Sequence, residues 1–337
     1  MEYYSRDHYS QNMSLPSGET IERLITDVYS ALRQESEGAI STVYPALTRV
    51  DPNLFGIYLK GVDGYEFSIG DVTTEFTIMS ISKPFIFALV CQAIGPQAAR
   101  ERLGVNGTGM PFNSVSAIEQ STTKLTNPMV NSGAIATTSF TPGKTKEEKW
   151  QYIYNGLCGF AGRKLTINEE IYQSACQSNY RNRGIANLLY SYGRLGCDPE
   201  MATDLYTRQC CLNINARDLA VMGATLADGG INPVTGDKII NNAICHYTLA
   251  VMLTSGMYET SGEWLYETGL PAKSGIGGGI VAVSPGKCAL SAFSPLLDGA
   301  GNSVKAQKAI RSLSRCLGMD LLVAKPYTDN SSLTAQE

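Results

Sequence analysis

The chain has 337 residues, 43% of them hydrophobic, enough for one large buried core or two modest ones. Its 27 Lys and Arg against 31 Asp and Glu leave a formal net charge of -4, which gives nucleic acid or an acidic membrane no electrostatic hold and favours a small, nearly neutral ligand. Nine cysteines, scattered without a Cys-x-x-Cys pair or neighbouring histidines, predict reduced, packed thiols and no zinc set.

Met1 to Ser14 lack the basic start and apolar stretch of a secretory signal, and no apolar run approaches the roughly 20 residues that cross a bilayer, so a cytoplasmic protein is expected. Residues 1–15 read as a disordered head. Ser17-Gly-Glu-Thr followed by Ile21, Leu24, Ile25, Val28 and Leu32 predicts a capped amphipathic helix. Leu54 to Lys60, the Gly61-Val-Asp-Gly64 turn and Tyr65 to Ile69 predict a hairpin. A helix follows over 82–95, where Pro84 fits a first turn. Residues 96–225 read as a helical second domain. A helix over 241–254, strands at Gly279–Val283 and Cys288–Phe293, a helix over 304–317 and a polar tail at 321–337 complete the chain. Strand pairs at both ends of the chain predict an α+β fold, in which 16–95 and 226–320 build one antiparallel sheet flanked by helices.

Only two histidines are present, His8 in the polar head and His246 in an apolar helical stretch, so a histidine base is not expected for acyl transfer. A serine three residues before a lysine places a hydroxyl and an amine on one helical face. That spacing occurs at Ser80/Lys83, Ser121/Lys124 and Ser284/Lys287. Ser284 lies in a turn and Ser121 in a Ser/Thr-rich loop, whereas Ser80 stands where a strand gives way to a helix start, whose N-terminus favours developing negative charge. Penicillin-recognising serine enzymes pair such a serine with a later Lys-Thr-Gly element. Here Lys273-Ser274-Gly275 precedes Ile276-Gly-Gly-Gly and a strand, a run that can present backbone N–H groups to an oxyanion.

Asn127-Pro-Met-Val-Asn-Ser-Gly-Ala-Ile, Met257-Tyr-Glu-Thr-Ser-Gly-Glu and Gly269-Leu-Pro-Ala-Lys-Ser-Gly-Ile-Gly-Gly-Gly-Ile-Val resemble signature segments of the serine-dependent glutaminases. Phe112-Asn-Ser, Arg181-Asn-Arg, Tyr206-Thr-Arg-Gln-Cys and Thr225-Leu-Ala-Asp-Gly-Gly agree in order, so the resemblance covers residues 18 to 317. It implies a β-lactamase-like sheet domain, a homodimer or homotetramer, and hydrolysis of the glutamine side-chain amide without a cofactor. It also implies Ser80 as nucleophile, Lys83 as its base and Tyr258 as a second proton-transfer group. Asn131, Asn182 and Tyr206 would line the substrate pocket, and the N–H groups of Ser80 and Ile276 would form the oxyanion hole.

Two positions depart from that pattern. Val43, in Val43-Tyr44-Pro45, stands where the family has a tyrosine, with Tyr44 expected to point elsewhere. Ala175, seven residues before Asn182, stands where the family has the glutamate that receives the substrate's α-ammonium group. Gln173 and Gln177 are neutral, and Glu169 and Glu170 lie one or two turns away. An unpaired buried ammonium costs on the order of 2 to 5 kcal/mol. The expectation is therefore retained acyl-enzyme chemistry with free glutamine a poor substrate. An acyltransferase or cyclising enzyme using the same serine, and a non-catalytic scaffold, are the alternatives.

Overall fold

The computed structural model describes residues 15–323; the disordered head and the polar tail expected above lie outside the described residues, apart from Leu15 and 321–323. Helix Gly18–Leu32 begins at Ser17, whose hydroxyl accepts from the Thr20 N–H, and buries Ile21, Leu24, Ile25 and Val28. Each such side chain stabilises the contact by roughly 1.5–3 kcal/mol.

The strands are β1 (Gly56–Gly61), β2 (Glu66–Gly70), β3 (Phe76–Thr77), β4 (Thr166–Ile167), β5 (Leu212–Ile214), β6 (Ala272–Ser274), β7 (Gly279–Ser284) and β8 (Cys288–Phe293). Five of them form an antiparallel sheet in the order β2-β1-β8-β7-β6, so the predicted hairpin at one end of the chain pairs through β1 with the predicted strands at the other. Central strands β1, β7 and β8 are buried at every residue because helices cover both faces. Alternate residues divide between two cores. Val281, Val283 and Ala289 meet helix Ala216–Ala227, while Ile280, Ala282 and Leu290 face helix Val304–Cys316 in a core completed by helix Gly18–Leu32.

Short strands β3, β5 and β4 form a second sheet in that order, which the sequence pattern did not reveal. Two or three residues cannot display a period. This sheet bears on the site, because β3 leads into Ser80 and β5 follows helix Pro199–Cys210, which carries Tyr206. The Ile78 N–H to Leu212 carbonyl bond of 2.9 Å fastens the two segments together.

Helix Asn131–Ser139 is buried along its whole length, between helices Ser82–Ile94, Tyr180–Ser191 and Pro199–Cys210. A Cβ on Gly133 would lie 1.9 Å from the Asn127 carbonyl oxygen. Gly133→Ala is therefore expected to lower stability by about 2–3 kcal/mol, read as a lower urea midpoint at unchanged slope. All nine cysteines are unpaired. Among the described residues no helix is long and apolar enough to cross a membrane, and no cluster of three potential metal ligands occurs.

Candidate active site

Ser80 lies in a 3-10 turn, Met79–Ile81, and Lys83 in the first turn of the following helix, Ser82–Ile94, so the pair straddles two elements instead of sharing one helix as the spacing suggested. The cause is Met79, whose φ of 47° turns the chain sharply just before Ser80. A non-glycine residue leaves that conformation unless its surroundings hold it. Here Met79 is buried, between the β3–β5 pairing and the helix start.

Lys83 is 1% exposed. Its amine donates to Asn131 Oδ1 at 2.7 Å and to the Met129 carbonyl at 3.3 Å, and no hydrogen bond to Ser80 occurs among the described residues. Burial pushes its pKa down to about 7. A neutral amine has two N–H donors and one lone pair, so these two acceptors engage both donors and leave the lone pair available as a base.

Asn131 is the hub of the polar network. Its Oδ1 also accepts from the Tyr206 hydroxyl at 3.2 Å, and its Nδ2 donates to Asn182 Oδ1 at 3.0 Å. The Asn182 amide N–H2 group has no acceptor among the described residues, so it is available to a ligand. Tyr206 is held far above the ordinary phenol range by burial. Burial likewise pushes Tyr258 up to about 12, against the opposing effect of hydrogen bonds with Ser80 and Ser274. Both phenols are therefore neutral donors near pH 7. Tyr258 occupies the left-handed region at φ 58°, and its hydroxyl donates to the Ser274 carbonyl at 3.2 Å.

The glycine-rich loop after β6 packs directly on the segment that leads into the Ser80 turn. A Cβ on Gly275 would lie 3.0 Å from the Ile78 carbonyl, and one on Gly277 2.4 Å from that of Thr77. Only glycine permits this approach. It brings Ile276 to the same cavity as Ser80, and among the described residues neither backbone N–H has an acceptor.

That cavity, about 40 Å³, is lined by Ser80, Asn131, Asn182, Tyr206 and Ile276 together with Val43 and Ala175. Tyr258 lies behind this lining, its ring 4.8 Å from that of Phe112, a lining residue, and tilted by 38° to it. Larger surface grooves of about 660 and 490 Å³ lie elsewhere, and neither brings a nucleophile to a buried amine. Tyr44, expected to point away, lines the cavity half-buried, because extended backbone at φ -123° ahead of Pro45 turns its ring inward while Val43 stays exposed. Thr207, Cys210 and Cys211 also line it. The motif residues Tyr206-Thr-Arg-Gln-Cys pointed to this segment, but no local signal marked the Met79 and Tyr258 conformations.

The other two Ser-x-x-Lys pairs serve the fold. Ser284 Oγ and Lys287 Nζ bind the carbonyls of Met319 and Gly318, and Lys124 Nζ caps the Glu119 carbonyl at the surface. His246 meets Tyr247 edge-on in helix Asn242–Ser255, and His8 lies outside the described residues.

The Glutaminase family pattern matches residues 38–322. Glutaminase 2 of Yersinia pestis is 62% identical over 331 residues, covering 98% of this chain and 96% of its own, and the glutaminase of Brucella canis is 48% identical over 83% and 89%. The solved structure of the probable glutaminase ybaS superposes with a TM-score of 0.90 at 40% identity, over 91% of this chain and 99% of that one. The structure of Mglu in its glutamate form gives 0.82 at 34%, over 88% and 68%. With a family match across most of its length, relatives of this identity and an antiparallel α+β architecture in common with their structures, the chain belongs to the glutaminase family.

Proposed function

We propose that the chain hydrolyses the side-chain amide of L-glutamine to L-glutamate and ammonia through an acyl-enzyme on Ser80. The observation that carries this reading is the buried Lys83 amine, with a pKa of about 7 and both N–H donors of its neutral form engaged. Its lone pair takes the Ser80 proton as Oγ attacks the amide carbon, and the N–H groups of Ser80 and Ile276 receive the oxyanion. Tyr258 passes a proton to the leaving nitrogen, ammonia departs, and water attacks the ester by the reverse proton route. The free amide N–H2 of Asn182 is offered to the substrate carboxylate, with Asn131 and Tyr206 fixing its orientation.

The expectation of an altered substrate finds no support. The Yersinia and Brucella relatives carry the name glutaminase, and their likeness extends over 83–98% of this chain. On this reading Val43 and Ala175 are accommodated within glutaminase activity, and the amino end of the substrate meets neutral groups, among them Tyr44 and Thr207. The unpaired cysteines support a cytoplasmic enzyme. A homodimer or homotetramer is part of the same reading, which light scattering of the purified chain would check.

The test is ammonia release from glutamine across pH. Because the neutral amine is the base, kcat/KM is expected to rise with pH through about 7 and level off above it. A chain that releases no ammonia from glutamine at any pH would overturn the proposal.

A further inference from the structure

Gln209 belongs to the Tyr206-Thr-Arg-Gln-Cys motif, yet it lines no part of the catalytic cavity and takes no part in the reaction described above. It is wholly buried on helix Pro199–Cys210, three residues after Tyr206. Its Nε2 donates to Ser82 Oγ at 3.3 Å, and its Oε1 accepts from the Thr138 hydroxyl at 3.0 Å. Ser82 and Thr138 are wholly buried too, on helices Ser82–Ile94 and Asn131–Ser139, which carry Lys83 and Asn131.

This run of bonds ends on the peptide bond between Met79 and Ser80. Ser82 Oγ donates to the Met79 carbonyl at 2.8 Å, and the Ser82 N–H reaches the same oxygen. A hydroxyl has one proton to give, so with that proton on Met79 the group facing Ser82 at 3.3 Å must be a donor, which is the Gln209 amide N–H. That donor in turn fixes the direction of the Ser82 hydroxyl, which would otherwise rotate. The Thr138 hydroxyl, shared between Gln209 Oε1 and the Ala134 carbonyl at 3.0 Å each, holds the carboxamide in this orientation.

A peptide unit is planar, so its carbonyl and N–H turn together. The Met79 carbonyl shares its plane with the Ser80 N–H, one of two backbone donors at the cavity that lack an acceptor among the described residues. Holding the carbonyl therefore aims that N–H, and the hydrogen bonds its oxygen accepts polarise it. The hold is needed, because Met79 stands at φ 47°, which a non-glycine residue leaves unless its surroundings keep it there. A methionine would fill the Gln209 site without the desolvation that a buried carboxamide suffers, so the carboxamide has a use beyond packing.

We propose that Gln209 is a positioning residue for the reaction, acting through Ser82 on the peptide between Met79 and Ser80 to aim the Ser80 N–H at the oxyanion. The proposal rests on the glutaminase reading, so ammonia release from glutamine by the wild type is the control. Its absence would sink that reading and this proposal with it, whereas the variants below bear on Gln209 alone.

The experiment is a double-mutant cycle on the full chain, with Gln209→Met made in the wild type and in Ser82→Ala. An oxyanion donor acts in the transition state, so each single variant is expected to lower kcat about 30-fold with KM changed less than about threefold. In Ser82→Ala the second substitution is expected to lower kcat less than about threefold further. The rise of kcat/KM near pH 7 stays in place in Gln209→Met, because Lys83 keeps both its partners. Equal losses in both backgrounds, a rise in KM with kcat intact, or a displaced pH limb would overturn the proposal. Thr138→Val, which removes the hydroxyl that orients the amide, is expected to lower kcat about fivefold, and Thr138→Ser to stay within about twofold of wild type. Should Gln209→Met not give folded protein by circular dichroism, Ser82→Ala and the two Thr138 variants decide, and wild-type kcat in both Ser82→Ala and Thr138→Val would overturn the proposal.

Discussion

Ser80→Ala is expected to reduce ammonia release from glutamine by about 10⁴-fold or more while leaving the fold and glutamate binding intact. The size of the effect follows from the lack of a substitute nucleophile around the cavity. Ser82 Oγ is wholly buried and donates to the Met79 carbonyl at 2.8 Å. Thr207 Oγ1 donates to the Thr203 carbonyl at 2.7 Å and accepts from Asn179. Burial pushes the Cys210 thiol up to about 11, so it carries almost no thiolate near pH 7. Among the described residues that line the cavity, Ser80 alone joins a hydroxyl to two backbone N–H groups without an acceptor, its own and that of Ile276. Residual turnover above about a hundredth of wild type, with binding confirmed by calorimetry, would remove Ser80 from the role of nucleophile.

Lys83→Met carries the second large effect, an expected fall in kcat/KM of about 10³-fold together with loss of the limb near pH 7. Methionine keeps much of the volume and removes the base. The direction with pH follows from the cause of the shift. Burial penalises the charged amine, so the folded chain releases its proton near pH 7 instead of far above it, and the active neutral form accumulates as pH rises. Asn131 loses its 2.7 Å partner but keeps the Tyr206 hydroxyl, so its carboxamide stays oriented toward Asn182. The measurement is a full pH profile of kcat/KM for both proteins. A variant that retained the limb near pH 7 would assign it to another group.

Much of the fold was legible before any coordinates. Helix Gly18–Leu32, the β1–β2 hairpin, β7, β8 and helix Val304–Cys316 each followed from a run long enough to show its period and from turn residues at its ends. The choice of Ser80 among three Ser-x-x-Lys pairs also came from the sequence, because Ser80 alone lies between a strand and a helix start. Less legible were β3, β4 and β5, too short for a pattern, and the inward turn of Tyr44, which depends on the backbone ahead of Pro45.

The sequence by itself therefore determined the α+β class, the pairing of strands from opposite ends of the chain and the residue types available for amide hydrolysis. These depend on side-chain period and turn chemistry, which act between near neighbours. The tertiary structure alone decided how that chemistry is set. Asn131 meets Lys83, Asn182 and Tyr206 across 48, 51 and 75 residues of chain. Burial at that meeting point is what brings the Lys83 pKa down to about 7. The left-handed turns at Met79 and Tyr258 are likewise held by contacts from distant segments. Desolvation and hydrogen bonding of this kind exist only once the chain is folded, so Ser80 and Lys83 could be singled out as candidates from the sequence, but the lowered pKa of Lys83 and the left-handed turn at Tyr258 could not.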